Sequence, residues 1–399
     1  MIADLYKDFQ ITGYSEEELK KELIKLSDMT YQMVIKPYNL YVYALTKKVK
    51  NGYEVIEFVP DEMDYRTLFN SEYIIDHTSV VTYEDFFKVG LTKDLVGEIE
   101  KLGFFFKYIR EGESDFLIVP ASTLENYVTT ICGAGKLYNE IDPINQLYVA
   151  FLLRDAMDFN MILRKEGKVA KGFAAFSEKH ELKRQDLLFN ETADILRRLN
   201  SSILVSYFNI KHLRTKIEFI MPDKKIMIKA KDKKFIITPS FRLTMADTGD
   251  IANKLESGLI INGSFVNIGS ESINLSSDKL EEELTEEIIT LSKALDKIAE
   301  MSEDEVSKSE NLKRILKKIG YYNTSIISKK YMKLYEEYSK DKTDTCSKVE
   351  VLIEILNLPK IIYMEHTKQL NNVPPEYIME RMAKLSGKVF TINFERECF

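Results

Sequence analysis

Asp247-Thr248-Gly249 copies the catalytic triplet of aspartic proteases. That chemistry needs two carboxylates sharing one proton. The sequence holds one triplet, and Asp250 follows where those proteases carry a small residue, so a turn is the expected role. Pro222-Asp223 followed by Asp232-Lys233-Lys234 loosely fits the pattern of metal-dependent nucleases, in which two carboxylates hold Mg²⁺ and a lysine lies beside the attacked phosphate. The gap between its halves is short, and Asp232 is better placed as a turn residue. Cys132-Gly133-Ala134-Gly135-Lys136 has the look of a phosphate loop but lacks the first glycine and the hydroxyl residue after the lysine. The histidines (His77, His180, His212 and His366) fall in no metal-ligating spacing, and Cys132, Cys346 and Cys398 form no C-x-x-C pair. The sequence therefore reads as non-enzymatic, with no cofactor and no metal site expected.

Binding chemistry has a clearer signal. Residues 211–242 hold ten Lys/Arg against three Asp/Glu, a local charge of +7 in a chain of net −7, which leaves −14 for the rest. Alternation from His212 to Met221 sets Leu213, Ile217, Phe219 and Met221 on one face and His212, Arg214, Lys216 and Glu218 on the other. Residues 225–231 alternate again, with Lys225, Lys229 and Lys231 outward, and Phe235–Thr238 makes a third strand. With turns at Pro222-Asp223 and Asp232-Lys233, this is a basic meander. Arg214, Lys216, Lys225, Lys229 and Lys231 are the candidate nucleic-acid-binding residues, since cations at strand spacing can follow a phosphate backbone. Phe208, Phe219 and Phe241 could stack on bases where exposed. A solvated polar face that discourages edge aggregation is the competing role for the same lysines. A second basic stretch, Arg164–Arg184, with seven Lys/Arg against three Glu, could extend the surface.

The elements that must position these residues form an α/β chain of the α+β type. Three regions are expected: a mixed domain over 1–140, a central antiparallel β-rich domain flanked by helices over 141–275, and a helical region over 276–399. Ser15 with Glu18 is a capping-box pattern ahead of Leu19, Leu23 and Leu26, which predicts a helix over 15–28. Residues 38–59 read as a hairpin turning at Asn51-Gly52. Strands are predicted at Phe104–Ile109, 115–119 and 167–177, and helices over 143–164 and 181–200. Leu280, Leu284, Ile288, Leu291, Leu295 and Ile298 mark one face of a long helix. A helix capped by Ser302 follows, then helices over 326–338, 347–356 and 374–386. The three scattered cysteines suit a reducing compartment. The acidic, polar N-terminus is unlike a secretory signal, and no apolar run reaches membrane-spanning length. A cytoplasmic protein without membrane association is expected.

Three blocks carry a family resemblance. They are Ile162–Lys165 through Lys171-Gly172-Phe173-Ala174-Ala175-Phe176-Ser177 with the helix that follows Arg184, then Pro239–Gly249 with Ile261-Asn262-Gly263, then Asp344–Ile353. In this order they resemble the phage/plasmid-like proteins of unknown function found on mobile elements, although the cysteine expected before Asn262 is Ile261 here. The resemblance spans roughly residues 160–356 and transfers no catalytic residue. It implies a phage or mobile-element origin, hence host cytoplasm, and a role near DNA replication or recombination. The function expected from charge and resemblance together is non-enzymatic nucleic-acid binding, as in single-strand binding or annealing. The alternatives are a structural or interaction protein (a virion component or an inhibitor of a host defence, acting on a protein partner or as a homo-oligomer) and a metal-dependent nuclease at Asp223, Asp232 and Lys234.

Overall fold

A computed structural model describes residues 10–36, 40–49, 52–56, 102–110, 113–120, 123, 158–166, 169–176, 182–211, 213–230, 233–247, 253–261, 263–268, 272–275, 277–300, 305–323, 328–340 and 345–390. In chain order, β1 (Gln10–Gly13), α1 (Glu16–Met29) and β2 (Thr30–Ile35) come first, followed by β3 (Leu40–Val49), β4 (Gly52–Ile56), β5 (Leu102–Arg110), β6 (Glu113–Pro120), β7 (Phe159–Glu166) and β8 (Val169–Phe176). Next are α2 (Gln185–Leu199), β9 (Leu204–Lys211), β10 (Thr215–Ile220), β11 (Ile226–Ala230), β12 (Lys233–Met245), β13 (Lys254–Ile261), β14 (Ser264–Asn267) and β15 (Ile273–Asn274). The remainder is α3 (Leu280–Ala299), β16 (Glu305–Ser307), α4 (Lys308–Ile319), α5 (Lys329–Ser339), β17 (Thr345–Ser347), α6 (Lys348–Leu370) and α7 (Glu376–Gly387).

The fold is mixed α/β with mostly antiparallel sheets, as the sequence predicts. One sheet runs β1-β9-β10-β12-β13-β14, with β11 also on β12 and β15 on β13. A second runs β2-β7-β8-β6-β5-β3-β4, in which β6 and β8 form a parallel pair. β16 and β17 make a two-stranded ribbon just ahead of α4 and α6. Strands from residues 10–35 thus pair with strands after residue 158, across the boundary expected near 140.

Several elements start where the sequence signals lie. Ser15 caps α1, accepting from the Glu18 N–H at 3.4 Å, and Leu19, Leu23 and Leu26 are buried. Ser347 and Glu350 form a complete capping box at α6, which runs on through Pro359 to Leu370, beyond the expected end at 356. Two expectations need correction. The helix expected over 143–164 ends in strand β7, whose Phe159, Met161, Ile162 and Leu163 are all buried; a continuous apolar run does not separate buried strand from buried helix. The helix expected to be capped by Ser302 begins instead at Lys308, after β16. The helix part of 143–157, and Asn51 of the first hairpin, lie outside the described residues; β3 and β4 do pair, with Val49 opposite Gly52.

The first sheet has helices on both faces. Phe219 of β10 stacks on Phe189 of α2 with ring centroids 6.0 Å apart, and Ser257 of β13 donates to Glu287 of α3. Ile217, Phe219, Phe241, Leu243, Leu255 and Leu259 are fully buried on this inner face. At about 25 cal/mol per Å² of apolar surface, each contributes on the order of 2 kcal/mol of burial energy. The outer face is reached by α7: Glu380 touches Lys216, and Gly387 lies against the backbone of Asn267. No helix among the described residues is long and apolar enough to cross a membrane.

Candidate nucleic-acid interface

The basic segment is one long hairpin, and the three-strand meander expected from the sequence is corrected in that respect. Ile237 of β12 pairs with Ile226 on one side and Ile261 on the other, while β10 pairs with Ser240–Met245 of the same strand. β10 and β11 therefore lie end to end along one edge of β12. Pro222-Asp223 does not reverse the chain. It starts a short 3₁₀ turn, Pro222–Lys224, that interrupts the strand and lets it continue in the same direction. Pro239 sits opposite the interruption: its carbonyl accepts from the Met221 N–H at 3.0 Å, so its nitrogen, which has no hydrogen to donate, faces the break.

The interruption keeps the cations on a common face but does not gather them. Lys216 pairs in register with Thr244, and Lys229 with Lys234. Those β12 positions are ten residues apart, which is roughly 30 Å along a strand. The five candidates therefore split into a base, Arg214 and Lys216, and a tip, Lys225 and Lys229, with Lys231 outside the described residues.

The base is internally neutralised. Glu380 Oε1 of α7 accepts from Lys216 Nζ at 2.9 Å and from Arg214 Nη1 at 3.4 Å. The next row of the outer face is an ion-pair ladder. Arg242 donates to Glu218 at 2.5 and 3.2 Å and lies 3.9 Å over the Phe265 ring, while Lys254 meets Glu256 at 3.0 Å. Phe265 in turn covers Gly258, where a Cβ would meet the ring at 2.6 Å. Phe208, Phe219 and Phe241 are each fully buried in the inner core, which corrects the expectation that they could stack on bases.

The tip is built differently. Ile226 and Ile228 pack on the core with Phe235 and Ile237 behind them, and Lys224 Nζ donates to Ser292 Oγ of α3 at 3.0 Å. The hairpin is thereby backed by the long helix. Its outward side presents Lys225, Lys229 and Lys234, all exposed, with Met227 and Ile236 between them. Lys229 and Lys234 are direct cross-strand partners, an arrangement that costs stability through like-charge repulsion. Among the described residues no carboxylate pairs with Lys225, Lys229 or Lys234. Lys234, a candidate of the nuclease pattern, belongs to this patch. Its exposure follows from register with Lys229, a relation that strand alternation alone does not give.

Three described cations of the second basic stretch, Arg164, Lys171 and Arg184, make internal contacts. Arg164 is fully buried and donates to both oxygens of Asp247 at 2.8 and 2.7 Å, to Thr30 Oγ1 at 3.1 Å, and lies 4.5 Å over the Phe173 ring. Lys171 lies 5.5 Å from the same ring, and Arg184 bonds Asp186 and Asp28. Asp247 is thus held by an arginine, the opposite of a carboxylate sharing a proton with a second carboxylate. The ion pair joins the end of β12 to β7 of the other sheet.

The remaining candidates do not converge. Asp223 accepts from Ser202 and Asn200, which hold its carboxyl below the usual range, and its side chain closes the turn after α2. Asp232 and the Cys132 loop lie outside the described residues. His366 is buried, bonded to the Asn372 carbonyl at 3.0 Å and stacked on Tyr331. Among the described residues no group of three or more His, Cys, Asp or Glu could hold a metal. Burial raises the Tyr321 phenol, which sits between the Met382 carbonyl and Ser386 Oγ, and burial together with Glu354 raises Tyr335. Both are helix-packing contacts.

No protein-family model, curated protein or solved structure matches this chain.

Proposed function

We propose that this is a non-enzymatic nucleic-acid-binding protein that holds the phosphate backbone at the β11–β12 tip, through Lys225, Lys229 and Lys234, with Lys231 beside them in sequence. The observation that carries this reading is the cross-strand pairing of Lys229 with Lys234 on a helix-backed hairpin. Two lysines face each other with no carboxylate partner among the described residues, and a polyanion laid across both relieves the repulsion. The mobile-element resemblance supports the same reading and adds a role in replication or recombination in the host cytoplasm. The base cations contribute little, because Glu380 already meets them.

Fluorescence anisotropy with labelled oligonucleotides tests the proposal. Neutralising about three phosphates gives a log–log salt slope near −2 on single strands, so a four-fold rise in salt weakens binding roughly ten- to twenty-fold. Absence of binding at low salt removes the reading.

A further inference from the structure

The outward side of the tip carries two consecutive cross-strand rows of different chemistry. Lys229 faces Lys234, and two residues further from the turn Met227 faces Ile236. Met227 is 57% exposed and Ile236 40%, and Lys225 stands beyond them on the same face. Directly opposite side chains in a sheet stand about 5 Å apart, so Met227 and Ile236 make one continuous apolar platform, with cations at both ends. Isolated exposed apolar residues are ordinary. Here two are register partners, and their flanks are cationic.

This combination selects among polyanions. A duplex keeps the faces of its bases stacked inside and offers phosphates and groove edges to a flat surface. The apolar row adds nothing to such a contact. A single strand exposes base faces beside every phosphate, and those faces pack on apolar or aromatic platforms irrespective of sequence. Resting on the nucleic-acid reading above, we infer that the tip takes single-stranded nucleic acid, with a base packed on Met227 and Ile236 and the adjoining phosphates held by Lys225, Lys229 and Lys234. Row order sets the register: the phosphates lie over the lysine positions and the base between them.

The test compares one mixed-sequence oligonucleotide as a single strand and as a duplex, at equal low salt, on the full chain. Wild type binds the single strand more tightly. Met227→Ser/Ile236→Ser weakens single-strand binding by about five-fold, below the usual effect of losing an aromatic platform, and leaves duplex binding unchanged. Lys229→Glu/Lys234→Glu weakens both. All four side chains point away from the core, and matching thermal midpoints confirm that the variants fold. Equal binding of single strand and duplex, indifferent to Met227→Ser/Ile236→Ser, overturns the single-strand inference while the nucleic-acid reading stands. Binding of neither nucleic acid overturns both. Capture of anionic-lipid vesicles in place of oligonucleotides, abolished by Met227→Ser/Ile236→Ser, also overturns both and makes the platform a membrane contact.

Discussion

Arg164 and Asp247 show how a residue pattern that suggests chemistry can serve packing instead. Both side chains are almost completely shielded, and the guanidinium is also held by Thr30 and the Phe173 ring. Removing one partner breaks a buried, hydrogen-bonded ion pair, so Asp247→Ala is expected to cost about 3–5 kcal/mol in urea unfolding. Replacing both partners by apolar residues of similar size is expected to recover most of that loss. A cost under about 1 kcal/mol for the single change would show that the pair is not what joins the two sheets at this point. The sequence offered Asp247 as one member of a triplet and Arg164 as one of a run of cations. Nothing in the spacing of two residues this far apart announces their contact, because it depends on how the two sheets meet. Lys216 poses the same difficulty: its outward direction was legible from alternation, its neutralisation by Glu380 on a distant helix was not.

At the scale of elements, much was legible. The leucine periodicity of α3, the Ser15 cap and the alternation in β10 and β11 each produced the element they implied, since local pattern and tertiary burial agree there, although Leu213, set by alternation on the apolar face, is exposed ahead of β10. The misreadings arose where local signals are degenerate. Pro222-Asp223 carries turn chemistry, yet the chain continues along β12, because the shared edge and Pro239 decide its course. Helix seating also depends on residues that sequence leaves mute. A Cβ at Gly387 would stand 1.6 Å from the Asn267 carbonyl oxygen, a backbone atom that cannot swing aside. Gly387→Ala is therefore expected to push α7 off β14 and destabilise the protein by about 1–3 kcal/mol, the usual range for overpacking. A thermal midpoint equal to wild type would mean that α7 is not seated where this contact places it.

Across the whole molecule, charge is segregated. The excess of acid lies outside residues 211–242, and within that segment the cations near the sheet centre meet carboxylates while Lys225, Lys229 and Lys234 at the hairpin tip meet none among the described residues. A compositional contrast thus becomes a positional one, and it localises the proposed interface to one end of one hairpin. The measurement that bears most directly on this is the salt dependence of single-stranded oligonucleotide binding for wild type, Lys229→Gln/Lys234→Gln and Arg214→Gln/Lys216→Gln. The tip variant is expected to make the log–log slope shallower by roughly 1.4, the loss of two phosphate contacts, while the base variant keeps the wild-type slope. A slope changed by the base variant and untouched by the tip variant would contradict the account.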